Sequence, residues 1–167
     1  RSRVIFPIHN HKGKVIAFGG RILGEGEPKY LNSPETAIFH KGTELYNLNR
    51  ARSHISKSGF ALMVEGYMDV IALDQHEIRN SVAALGTAIT TTHIQRLFRI
   101  APTIIFCLDG DEAGRSAAWR ALEISLSELS GGKQISFIFL PEGDDPDTFV
   151  NREGKEQFDS YLEKAIS

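Results

Sequence analysis

The sequence predicts an α/β protein: a parallel sheet of about four strands flanked by helices, preceded by a small mixed α+β segment. Three observations carry this. From residue 58 onward, short apolar runs alternate with stretches of helical length, in the order β-α-β-α-β-α-β. The runs "FALMV", "SVAAL", "TIIFCL" and "ISFIF" are apolar at consecutive rather than alternate positions, as strands covered on both faces require. The joints between runs and helices carry threonine caps and glycine stops.

Taken in order, "RVIFPI" and "KVIAFGGRIL" are β-branched apolar runs separated by "HNHKG", whose Asn10 and Gly13 are turn formers; this predicts a β-hairpin with His9 and His11 solvated beside the turn. "GEGEPKYLNSPET", residues 24–36, crowds glycine and proline into its start and carries Pro34 further on, predicting an irregular loop. Residues 43–56 follow a helical period through Leu45, Leu48 and Arg52 and end in the polar joint "SKSG". Next come a strand at "FALMVEG", a helix at "YMDVIALDQH", a strand at "SVAALG", and a helix at "TTTHIQRLFR". "TIIFCLDGD" is a third strand of the series, and "EAGRSAAWRALEISLSELSGG" a long helix closed by Gly131 and Gly132. On that helix Trp119, spaced with Leu122 and Leu126, reads as core, while Arg115 lies on the first turn, either over the strand ends or on open surface. "ISFIFLPEG" is the last strand and "REGKEQFDSYLEKAIS" a final helix.

The composition excludes several classes. No run of 18 apolar residues and no signal peptide is present, so neither a membrane span nor secretion is expected, and the composition suits a cytoplasmic protein. The single cysteine, Cys107, rules out an internal disulfide framework and a cysteine-rich zinc site, and its apolar neighbours mark it as core. The chain starts at Arg1 without a methionine and reads as a piece of something longer. Charge is divided unevenly. Residues 1–57 hold 10 Lys and Arg against 4 Asp and Glu, and residues 58–167 hold 9 against 17, so +6 stands beside −8. Such a division suits a polyanion held by one half and cations held by the other.

In open parallel sheets, sites form beyond the carboxyl ends of the strands. Here the first strand ends in Glu65-Gly66, the second in Leu85-Gly86-Thr87, the third in Asp109-Gly110-Asp111, and the fourth runs into Asp144, Asp145 and Asp147. Asp69 falls one turn into the helix after Glu65. Taken singly, Asp111 is a helix cap and Asp147 a turn residue. Taken together, the acids crowd one edge, repel each other and raise their own pKa values unless cations neutralise them. Oxygen-only donors, with no Cys or His among them, suit hard divalent ions rather than zinc.

A glutamate after one strand and Asp-x-Asp after another resemble the signature of the Toprim domain, shared by bacterial primases, topoisomerases and some nucleases. The longer stretches "PKYLNSPET", "FHKG", "LMVEGYMDVIAL", "LGTAIT", "DGDEAGRSAAWRAL" and "FLPEGDDPDTFV" resemble the catalytic core of bacterial replicative DNA primases of the DnaG type, over nearly the whole chain and in order. The resemblance implies a Toprim fold and a three-part division: 1–57 as the C-terminal part of the core's N-terminal subdomain, 58–150 as Toprim, and 151–167 as the start of a helical subdomain. It implies RNA primer synthesis on single-stranded DNA from ribonucleoside triphosphates, with an RNA–DNA hybrid as product. Glu65, Asp109 and Asp111 would bind Mg²⁺, for which Mn²⁺ can substitute, and Asp69, Asp145 and Asp147 would support them. Glu65 is equally a general-base candidate. Lys29 would lie on a basic ridge with Arg21 and Lys41, and Tyr30 and Asn32 would add contacts to nucleic acid or nucleotide. Tyr30 and Phe39 either stack on bases or pack beneath the loop. A replicative helicase would be met through a domain absent from this chain, and no membrane is implied. Two other readings stay open: a different Toprim enzyme, although Tyr30, Tyr46, Tyr67 and Tyr161 lack an evident nucleophile context, and a binding module without chemistry.

Overall fold

The computed structural model describes residues 2–165. The hairpin forms as expected: β1 (Arg3–His9) pairs antiparallel with β2 (Val15–Ile22) around the Asn10–Gly13 turn. The expected loop after it contains a third short strand, β3 (Tyr30–Asn32), whose three residues pair with Gly19, Gly20 and Arg21 of β2. The free edge of β2 supplies unpaired backbone groups, and satisfying them overrides the weak strand propensity of that segment.

α1 (Leu48–Ser58) starts later than the periodicity suggests. Asn47 takes a left-handed conformation (φ 67°), which asparagine tolerates, and Tyr46 is drawn out into a backbone bridge with Ala83. Gly59, at φ 79°, ends the helix.

The second sheet has the order β5-β4-β6-β7 and is parallel throughout, formed by β4 (Phe60–Val64), β5 (Ser81–Ala83), β6 (Thr103–Leu108) and β7 (Gln134–Phe139). Between them run α2 (Tyr67–Gln75), α3 (Thr91–Phe98) and α4 (Glu112–Ser125), the last continued by a 3₁₀ turn, Leu126–Glu128. Alternation along the strands sorts the core into two layers. Ala61, Met63, Ile104 and Phe106 meet α1, α3 and α4 on one face. Leu62, Val64, Ile105 and Cys107 meet α2 and α5 (Pro146–Leu162) on the other. Cys107 is fully buried, as its neighbours indicate. Each fully buried aliphatic or aromatic side chain here contributes about 1.5–3 kcal/mol. The antiparallel sheet docks through Phe6, Ile8 and Ala17 onto Phe39, Tyr67 and Leu85.

Two expectations are corrected. Trp119 is 64% exposed, with its indole N–H donating to Glu123 at 3.0 Å. The buried stripe of α4 is instead Gly114, Ala118, Ala121 and Ser125, small residues that bring the helix close to the sheet and turn the larger ones outward. The last helix starts at Pro146 rather than near residue 152. Asp145 caps it, accepting from the Thr148 N–H at 2.7 Å, and proline suits the first helical position. That helix is interrupted at Gly154 (φ 82°), and residues 166–167 of the expected helix lie outside the described residues.

Candidate active site

Because β4, β6 and β7 are parallel, the turns at their carboxyl ends all emerge at one edge. Glu65-Gly66 leads from β4 into α2, Asp109-Gly110-Asp111 leads from β6 into α4, and residues 140–145 lead from β7 into α5. The last two turns touch through their backbones. A Cβ on Gly110 would overlap the Leu140 and Pro141 carbonyl oxygens, and one on Gly114 would overlap the Asp109 carbonyl. The spacing Asp-Gly-Asp-x-x-Gly is therefore set by steric room as well as by the acids.

Asp69 is the joint of this edge. It is 7% exposed, and its two oxygens accept from the Gly66 N–H at 2.8 Å and the Asp147 N–H at 3.3 Å. One carboxylate thus ties the turn after β4 to the start of α5.

Burial raises the pKa values of these acids, and their mutual charge adds to it. Burial raises Asp109 to about 6, and the charges of Glu65, Asp145 and Asp111 add to it. Burial raises Asp69 to about 7 against the bond from Gly66, with Asp145 and Asp109 contributing. Glu65 is raised by burial, opposed by the Asp109 backbone N–H it accepts from, and raised further by Asp111 and Asp145. Asp147 moves up through burial and Asp145, relieved in part by Asn151 and Arg21. Asp109 Oδ1 is buried without any hydrogen-bond partner. Asp144 behaves in the opposite way: Arg152 grips both of its oxygens at 2.6 Å and holds its pKa down, removing it from the cluster.

A cleft of about 450 Å³ opens over this edge. One wall carries Glu65, Asp69, Asp109, Asp145 and Asp147, and the other carries Arg21 from β2, Lys29 from the loop just before β3, and Tyr30 and Asn32 from β3. Arg21 lies over the Tyr30 ring, 5.9 Å from its centroid, and its Nε is buried without a partner. Asn32 spans the two walls: its Oδ1 accepts from the Tyr67 hydroxyl and its Nδ2 donates to the Leu85 carbonyl at 3.0 Å. Tyr67 stacks on Phe6 at 5.1 Å and meets Tyr46 edge-on at 4.6 Å. The sequence pattern gives Tyr67 no place in the site; its position directly after Glu65-Gly66 is the one signal that points there.

Other sequence-derived residues fall elsewhere. Asp111 lies around the corner, in an adjoining pocket shared with Asp109, Gly110, Gly143, the Arg152-paired Asp144 and Asp145. Its Oδ1 caps α4 through the Gly114 N–H at 2.7 Å, so capping and membership of the acid edge hold at once. Arg115 bonds the Gly110 carbonyl at 3.2 Å. Lys41 does not line the cleft; its N–H donates to Glu35 and its carbonyl meets His93. Phe39 is fully buried, so it packs beneath the loop and does not offer a face to bases.

Among the described residues no three side chains converge as a preformed metal cage. The donor set nevertheless fits a hard cation that keeps waters and takes further oxygens from phosphate. It is all carboxylate, it repels itself, and it contains one buried oxygen lacking any partner.

A parallel sheet carrying a glutamate after one strand and Asp-Gly-Asp after the neighbouring one, with acids from a third joining them, defines a Toprim domain. Residues 59–139 match the Toprim domain family, and residues 1–52 match the family described as DNA primase catalytic core, N-terminal domain. A DNA primase of Pseudomonas aeruginosa is 60% identical over 158 residues, covering 95% of this chain and 24% of that protein. A DNA primase of Escherichia coli K12 is 55% identical over 166 residues, covering 99% and 29%. A crystal structure of a DNA primase domain from P. aeruginosa superposes with a TM-score of 0.95 at 57% identity, covering 99% of this chain and 51% of that one. A DnaG primase catalytic domain solved bound to single-stranded DNA gives 0.94 at 55% identity, covering 99% and 54%. The chain belongs to the bacterial DnaG-type DNA primase family. It spans about a quarter of the length of the curated relatives it matches.

Proposed function

We propose that this chain forms the metal-binding part of a primase core that joins ribonucleoside triphosphates into a short RNA on single-stranded DNA. The observation that carries this reading is the cleft itself. A self-repelling carboxylate edge with an unpartnered Asp109 oxygen faces a wall with an unpartnered Arg21 nitrogen. A nucleoside triphosphate with its divalent ions has the charge pattern that satisfies both. The DnaG relative solved with single-stranded DNA supports the template side of this reading.

Glu65, Asp109 and Asp111 would hold the ions, Mg²⁺ with Mn²⁺ as a substitute, while Asp69, Asp145 and Asp147 keep the edge negative and in place. Divalent ions held there would supply charge to activate a 3′-hydroxyl and to neutralise departing pyrophosphate. The chain's own residues do the rest. Arg21 and Lys29 bind phosphate oxygens across the cleft, and the planar Arg21 guanidinium suits bidentate contact. Tyr30, backed by Arg21, presents a ring on which a base can stack. Asn32, bonded to Tyr67 and to the Leu85 carbonyl, helps hold the two walls together, and its second amide N–H and oxygen lone pair remain for a nucleotide in the cleft it lines. Glu65, whose pKa burial raises, is a candidate to take the hydroxyl proton as well as to ligate. The RNA–DNA hybrid product, a replicative helicase partner and a cytoplasmic replisome setting belong to the same reading. No helix among the described residues is long and apolar enough to cross a membrane.

The test is templated ribonucleotide incorporation by a complete catalytic core carrying this segment. Glu65→Gln is expected to lower incorporation by ~100-fold or more while leaving single-stranded DNA binding within about twofold. Incorporation at the unsubstituted rate would contradict the assignment.

A further inference from the structure

Residues 1–57 hold 10 Lys and Arg, yet only Arg21 and Lys29 of these line the acid-edged cleft. Part of the remaining surplus converges elsewhere. The hairpin turn, the first turns of α1 and the last turn of α3 enclose a groove of about 340 Å³ that shares no lining residue with the cleft. His11, Asn49, Arg52, Arg96 and Arg99 line it, over a floor of Leu48 and Ile100. No acidic side chain is among the lining residues.

The arginines differ in their commitments. Arg96 is anchored to the Thr43 carbonyl and to Glu44 at 3.1 Å. Among the described residues, Arg52 and Arg99 make no ion pair or hydrogen bond through their side chains. The negative end of α3 favours a cation at its terminus by about 0.3–1 kcal/mol, which accounts for one arginine there. It does not account for Arg52, which comes from another helix. Two guanidinium groups from separate helices, Arg52 and Arg99, that line one groove without an ion pair and with no acidic side chain in its lining form a site for an anion. Guanidinium forks match phosphate oxygens in particular. Lys12 and Lys14 follow His11 on the same exposed turn, outside the groove lining, so further basic residues lie close by in the chain for a ligand with several phosphates. No aromatic side chain lines the groove to read or stack a base.

We propose that this groove binds the sugar-phosphate backbone of a nucleic-acid strand, without regard to sequence, as a second contact outside the cleft. It rests on the reading that the protein works on nucleic acid, and it would hold template at a distance from the reacting ends.

The experiment is the salt dependence of binding a labelled single-stranded oligonucleotide to this chain, to Arg52→Ala/Arg99→Ala and to Lys29→Ala, with Mn²⁺ affinity and circular dichroism as controls. Loss of two single-strand phosphate contacts should make the slope of log K against log salt shallower by about 1.4 in the double variant. Mn²⁺ affinity should stay unchanged, and Arg52→Lys/Arg99→Lys should recover most of the slope. Arg52→Glu/Arg99→Glu should bind more weakly still. An unchanged slope and affinity in both the alanine and glutamate variants would overturn the proposal. So would a double alanine variant that loses tripolyphosphate binding but keeps the oligonucleotide, since that describes a small-anion pocket. Lys29→Ala separates the two readings: failure of the cleft leaves its slope unchanged while the groove variants still respond.

Discussion

The two walls of the cleft hold opposite charge on different kinds of structure. The acid wall stands on strand ends and helix starts of a parallel sheet, fixed by backbone contact at Gly110 and by the Asp69 carboxylate. The basic wall stands on an antiparallel sheet that reaches the acids through side chains, Tyr67 against Phe6 and Asn32 against Tyr67 and Leu85. A rigid acid edge keeps its carboxylates close enough to repel, at the expense of stability when no cation is bound. The basic wall is joined to it by a few side-chain bonds, and its position depends on them.

The largest effect on the fold is therefore expected from breaking the joint. Asn32→Ala strips both the Tyr67 hydroxyl and the Leu85 carbonyl of their partner and is expected to cost about 1–3 kcal/mol of unfolding free energy, read by chemical denaturation. Nucleotide affinity should fall with it. An unchanged denaturation midpoint would show that the walls are held by packing alone.

Next in size is the cost of holding buried, mutually repelling charge in the acid wall. Folding raises Asp109 to about 6 and Asp69 to about 7, so between about pH 4 and pH 7 the folded protein holds more protons than the unfolded chain. The stability these groups contribute is present below about pH 4 and lost as pH rises through their folded values. Asp109→Asn should therefore be more stable than the unsubstituted, metal-free chain at pH 7.5, by roughly 1 kcal/mol once solvent screening is allowed for. That corresponds to about 2–4 °C in Tm. The gap should close near pH 4.5. A variant that is less stable at pH 7.5 would mean that the edge is not under charge strain.

The smallest effect belongs to the basic wall. Lys29→Ala should weaken single-stranded DNA binding severalfold and make the salt slope shallower by about 0.7, the share of one single-strand phosphate. An identical slope would remove Lys29 from the ridge.

The same contrast explains what sequence can and cannot reveal. The alternation of apolar runs with helical stretches is enough to place Glu65, Asp109, Asp145 and Asp147 on one edge, because parallel strands deliver the turns at their carboxyl ends to the same side of the sheet. Which of the acids stay unpaired is not legible. Asp144 is taken out by Arg152, and that pairing depends on α5 starting at Pro146, earlier than its apolar spacing suggests. The basic wall is harder still, since docking one sheet on another is a matter of long-range packing. That packing brings Arg21 and Lys29 to the cleft and leaves Lys41 outside its lining. Trp119 misleads for a local reason: its spacing with Leu122 and Leu126 fits a helical face, but the small residues Gly114, Ala118 and Ala121 form the stripe that meets the sheet.

The central claim is that cations satisfy the acid edge, and the most direct test is calorimetric titration of Mn²⁺, with and without a nucleoside triphosphate, into this chain and into Asp109→Asn/Asp111→Ser. Serine keeps the cap on α4 while removing the carboxylate, so the fold is retained. Binding by the unsubstituted chain that falls at least ~10-fold in the variant is the predicted result. Equal binding by the two proteins, with the triphosphate present as well as without it, would contradict a metal site at the strand ends.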